Sequence, residues 1–184
     1  MPNSRNGWHI RISASACILA AMLLLILPLQ WIVAALAAAA VHELFHIGAV
    51  YLCGGQIWEF RIQGSGARMC AAGLSPGKNI FCSLAGPLGG LTLLLFLKWI
   101  PRTAICAAFQ SAYNLLPVRP LDGGRAMHSL LHWIFPRSAE RLCRYTEWGC
   151  VTVVFLFALY CAIFLKLGLM PIFLAIALYL RIKS

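Results

Sequence analysis

Val41-His42-Glu43-Leu44-Phe45-His46 places a His-Glu-x-x-His pattern inside a long apolar run. From Ile12 to Cys53 the only Asp, Glu, His, Lys or Arg residues are His42, Glu43 and His46. On a helix, side chains four apart share a face, so His42 and His46 can reach one metal ion. Glu43 follows directly, where its carboxylate can meet water at that ion. Ionisable groups at membrane depth cost a few kcal/mol each on insertion scales, so three together argue for a functional site rather than for packing.

The surrounding composition says that the run is in a membrane. Of 184 residues, 61% are hydrophobic and 11% charged, against about 45–50% and about 25% in soluble domains. The expectation is an all-α polytopic membrane protein with the lipid bilayer as its surroundings. A net charge of +10 would suggest nucleic acid in a soluble chain, but no basic stripe interleaved with aromatics is present, and nucleic acid is not expected as a partner. The eight cysteines form no C-x-x-C pair and several fall mid-helix. They read as reduced, small hydrophobes rather than a disulfide framework.

The apolar run is too long for one span, since about 20 residues cross the hydrocarbon core, and Pro28 and Gln30 mark the break. The start of the chain imitates a signal peptide, but a signal core is only about 7–15 residues and this one is far longer. Six spans follow, near 12–29, 31–53, 79–98, 103–117, 147–165 and 168–181, in a single domain over 1–184. Gly54-Gly55 closes the second. In the third, Gly86 and Gly90 of Ala85-Gly86-Pro87-Leu88-Gly89-Gly90 allow close helix approach, which reads as structural packing.

Between the second and third spans the period changes. Trp58, Phe60 and Ile62 alternate with Glu59, Arg61 and Gln63, and Gly64-Ser65-Gly66 is a turn signal, so a small membrane-associated β-hairpin is expected after the second span. Its functional reading is an exposed edge strand over 56–63 that holds an extended peptide. An interfacial loop with aromatic anchors is the competing reading. Residues 126–146 read as a basic connection with a short amphipathic helix. Six spans with a cytosolic N-terminus put twelve of the fifteen Lys and Arg residues on the cytosolic side, as the positive-inside rule requires. Both termini and the His-Glu-x-x-His half of the second span then face the cytosol.

Two histidines do not complete a catalytic zinc site, which usually has three protein ligands. Asp122, His128 and His132 are candidates, with Glu59, Glu140 and Glu147 further off. Asp122 is preferred because it is tied to a helix end at comparable depth, between Pro120 and Gly123 on irregular backbone. Its competing readings are a helix cap or an ion pair with Arg119 or Arg125. His128 and His132 are also four apart, but they lack an intervening Glu and read better as a solvated helix face.

His42-Glu43-Leu-Phe-His46, Ala85-Gly86-Pro87 and Asn114-Leu-Leu-Pro-Val-Arg-Pro-Leu-Asp122-Gly-Gly-Arg125 together resemble the site-2 metalloproteases. These are zinc proteases that cut substrates within the membrane. The Asn114-to-Gly124 form is most similar to the branch of the stage IV sporulation protease, which processes a sigma-factor precursor. The resemblance covers roughly residues 12–145. It implies one Zn2+ held by His42, His46 and Asp122, with Glu43 as catalytic acid/base. It implies that Asn114 positions substrate or the oxyanion. The implied partner is a membrane-embedded or membrane-tethered protein substrate, a sigma-factor precursor or a signalling protein. No stretch reads as a PDZ or C-terminal nucleotide-sensing domain. The functions set against this one are a metal-binding membrane protein or transporter, and a catalytically inactive substrate-binding relative. A polar cavity between the second and fourth spans is expected to supply water.

Overall fold

The computed structural model describes residues 9–12, 24, 27–63 and 66–166, with positions 172, 175, 176, 178 and 179. The first and sixth expected spans therefore fall almost wholly outside the described residues. The described elements are strand β1 (His9–Ile12), helix α1 (Leu29–Leu52), strands β2 (Gln56–Gln63) and β3 (Gly66–Ala72), and helices α2 (Pro76–Thr92), α3 (Pro101–Asn114), α4 (Asp122–Ile134) and α5 (Ala139–Ile163). Among the described residues, three stretches are long and apolar enough to cross a membrane: Leu29–Leu52, Pro76–Phe96 and Ala139–Ile163. The chain is a membrane protein, mostly helical.

α1 explains its own orientation. Its buried positions are Ala34, Ala38, His42, His46, Ala49 and Val50, a stripe at helical spacing made of small and ionisable residues. Leu36 and Leu44 lie outside, exposed on the opposite side. That inversion of the soluble pattern is what lipid demands, because tails already satisfy Leu and close packing selects small residues. The helix starts after Pro28 and stops where Gly54 takes a φ of 72°. The amides of Gly54 and Gly55 bond back to the Tyr51 and Val50 carbonyls at 3.0 and 2.9 Å, closing the end as a Schellman motif.

α1 packs against α2 and α3, α2 packs against α4, and α5 packs along α4. The residues expected to form a fourth span, 103–117, form α3 instead, which has only 14 residues. At 1.5 Å per residue that is about 21 Å, short of the roughly 30 Å hydrocarbon core. The helix starts at Pro101 and ends at Asn114, and Pro117 and Pro120 lie in the stretch before α4 begins at Asp122. The fifth expected span began at 147, but α5 begins at Ala139. Glu140, Arg141 and Arg144 had marked that stretch as connection, yet they ride on the first turns of the same helix, where charge costs nothing outside the apolar part.

The three strands form one sheet in the order β1-β2-β3. β2 and β3 pair antiparallel, and β1 pairs parallel with β2, His9 opposite Glu59 and Ile12 opposite Ile62. β2 is therefore central over 59–62 and not the expected edge strand, because its second side is taken by a segment from the chain's start. The open edges among the described residues are those of β1 and β3.

Candidate metal centre

His42 and His46 project from adjacent turns of α1 into the bundle, 2% and 6% exposed, and Asp122, the first residue of α4, is 9% exposed. His42 Nε2 lies 3.0 Å from Asp122 Oδ2, His46 Nε2 lies 3.1 Å from the same oxygen, and the two Nε2 atoms are 3.1 Å apart. Three possible ligand atoms thus form a nearly equilateral triangle. Zinc binds such atoms at about 2.0–2.2 Å, which in a tetrahedral site sets neighbouring ligands about 3.3 Å apart. The triad matches this within a few tenths of an ångström.

The protons support the same conclusion. His46 Nδ1 donates to the Cys82 carbonyl at 2.7 Å, since a carbonyl can only accept. With Nδ1 donating there, the ring turns Nε2 to a carboxylate oxygen and to a second imidazole nitrogen. A cation between them satisfies all three. The Cys82 carbonyl also fixes the tautomer and the ring orientation, the usual duty of a group behind a ligating histidine.

Glycines decide how close the helices come. A β-carbon at Gly86 would overlap the His46 ring, and one at Gly89 would overlap the Phe45 ring. At Gly90 it would lie 2.5 Å from Ser111 Oγ and 3.9 Å from His42 Nδ1. Both of these atoms are buried without a protein hydrogen-bond partner. The Ala85–Gly90 segment is packing, as expected, but packing directed at the two histidines.

Asp122 reaches the triad because α4 starts folded back on the end of α3. A β-carbon at Gly123 would overlap the Leu115 carbonyl, and one at Gly124 would overlap the Val118 backbone. Gly123→Ala is expected to cost about 1–3 kcal/mol, the usual cost of overpacking, because the obstructing atoms are backbone. A lowered thermal unfolding midpoint, with loss of bound zinc, checks this.

Asp122 makes no capping bond, since the N-cap is Leu121. Arg125 approaches it only at 3.8 Å. Arg119 turns away to Glu147, Nε to Oε1 at 2.7 Å, and to Glu140 at 3.3 Å. Its hydrogen bond to Glu147 raises the guanidinium pKa above its ordinary value. Glu43 is half-buried and lies within electrostatic reach of His46, His42, Asp122 and Arg125. Asn114 ends α3, half-buried. Among the described residues it makes no hydrogen bond to the triad. His128 and His132 do not join the triad but gather with Glu140.

A cavity of about 40 Å³ touches His46 and is lined also by Val50, Asn79, Cys82, Ser83 and Arg125. It can hold a water, which needs about 10–15 Å³. It lies among α1, α2 and α4. The backbone carbonyl of Cys82 and the hydroxyl of Ser111 carried no sequence signal. Gly86 did, in its spacing from Gly90.

No protein-family model and no curated protein matches the chain. Among solved structures, the site-2 protease from Methanocaldococcus jannaschii superposes with a TM-score of 0.63 over 98% of this chain and 92% of that one, at 16% identity. The fold is that of a site-2 protease. Within this site-2 protease fold, the three groups that converge are the two histidines of the apolar helix and the aspartate that opens α4.

Proposed function

We propose that the protein is an intramembrane zinc metalloprotease. It hydrolyses a peptide bond in or near a transmembrane or membrane-tethered segment of another protein, such as a sigma-factor precursor or a signalling protein. The observation that carries this reading is the buried triangle of His42 Nε2, His46 Nε2 and Asp122 Oδ2, with sides of 3.0–3.1 Å, whose two histidines lie on a helix apolar enough to cross a membrane. The site-2 protease fold agrees with it.

In this reading the three residues hold one Zn2+. When bound, the ion supplies Lewis acidity and lowers the pKa of water to about 7. Glu43 takes the proton on its carboxylate and returns it to the leaving amine. The Asn114 amide, at the end of α3, donates to the substrate carbonyl as negative charge builds there. The open edge of β3 offers backbone groups to a substrate segment that has unwound. In this reading the site lies in the cytosolic half, which the excess of Lys and Arg expected on that side supports.

Asp122→Asn tests the ligand set. Co-expressed with a membrane-tethered precursor, it is expected to give no product where the wild type does, because a neutral amide is a poor zinc ligand. The purified variant is expected to have lost its zinc from this site. Undiminished cleavage would remove Asp122 from the site and the proposal with it.

A further inference from the structure

A second group of ligands lies outside the triad. His128 and His132 sit one turn apart on α4 with ring centroids 4.3 Å apart. Both turn Nε2 to one oxygen of Glu140, at 2.9 and 3.3 Å. Their three ligand atoms lie within 4.8 Å of one another. We propose that His128, His132 and Glu140 form a second, more exposed zinc site that clamps α4 to the first turn of α5.

Geometry and charge both favour the ion. The two nitrogen-to-oxygen separations, 2.9 and 3.3 Å, lie within a few tenths of an ångström of the roughly 3.3 Å between neighbouring ligands of a tetrahedral zinc. Two imidazoles and one carboxylate make a borderline donor set suited to zinc rather than magnesium or calcium, which prefer oxygen. Glu140 is also held from behind. Its other oxygen accepts from Arg119 at 3.3 Å, and Arg119 is itself anchored by Glu147 at 2.7 Å. A supporting shell of this kind orients a ligand carboxylate. Glu140 and Glu147 set two carboxylates against the one guanidinium of Arg119.

An ordinary solvated histidine pair with a carboxylate has no need of Arg119 and Glu147 behind it. Side-chain exposures of 34%, 40% and 57% leave room for water to complete the coordination and make the site weaker than the buried one. Its consequence is mechanical. α4 begins with Asp122 and Arg119 sits in the loop before it, so tying α4 to α5 steadies the helix that carries Asp122.

The test is zinc stoichiometry of the full chain in detergent, measured after equilibration with zinc alone and repeated with Co2+, whose visible bands report the ligand set. The wild type is expected to bind two equivalents. The His128→Asn/His132→Asn double variant and Glu140→Gln are each expected to bind one, with far-ultraviolet circular dichroism unchanged. Asp122→Asn is expected to keep the one that those variants lose. A wild type that binds a single ion lost only with Asp122→Asn would overturn this second site and leave the proteolytic reading standing. A single ion lost only with the histidine pair would support the second site and sink the proteolytic one.

Discussion

Glu43→Gln is expected to reduce cleavage of a membrane-tethered precursor by about 10²–10⁴-fold, the usual range for a general acid/base, while zinc at the triad stays bound. Glutamine keeps the size and polarity of glutamate but cannot take up a proton. Glu43 is not one of the three converging ligand atoms, so the metal has no reason to leave. The two readouts therefore separate. Zinc content measured by atomic absorption should match the wild type, and only product formation should fall. The same variant sorts the competing functions. A metal transporter has no use for a proton acceptor at this position and would keep its flux. An inactive relative would yield no product even as the wild type. Cleavage that survives the change would remove Glu43 from the chemistry.

Gly86→Ala should have the next largest effect, and through the metal rather than the proton. The added methyl would occupy space now taken by the His46 ring, so the ring must turn or α2 must withdraw. Either movement takes Nε2 out of the 3.1 Å triangle and breaks the 2.7 Å bond from Nδ1 to the Cys82 carbonyl. Disturbing a partner of a ligand commonly costs 10–100-fold in metal affinity, and here the ligand itself is displaced. A fall of at least about tenfold in zinc affinity is expected, read by competition with a chromophoric chelator. Gly48→Ala is the control, because nothing lies within 4 Å of a β-carbon there and alanine favours the helix. Equal zinc affinity in the two variants would show that Gly86 does not set the position of His46.

Much of this was legible in the residues, for identifiable reasons. His42 and His46 stand out because they break an uncharged run, and helical periodicity alone puts them on one face. Asp122 was legible only as a preference. Its approach depends on Gly123 and Gly124 letting α4 fold back on Leu115 and Val118, a tertiary event that no local pattern encodes. The strand character of 56–63 shows in its alternation. Its central place in the sheet does not, because the strand that covers it, His9–Ile12, has only four residues, too short for periodicity to register. The start of α5 was hidden by charge. Glu140 and Arg144 look like a connection when hydropathy is averaged, although a helix can extend beyond the apolar part of a span. His128 and His132 read as a solvated helix face because their partner Glu140 lies across a turn and is visible only in three dimensions.

Metal removal and return bears most directly on the proteolytic site. The full chain, reconstituted in lipid with a membrane-tethered precursor, is stripped of metal by a chelator and then given Zn2+ alone. Cleavage is predicted to stop on stripping and to return with zinc in the wild type, but not in Asp122→Asn. Product formation that continues in fully demetallated protein would contradict the assignment of His42, His46 and Asp122 as the ligands of a catalytic zinc.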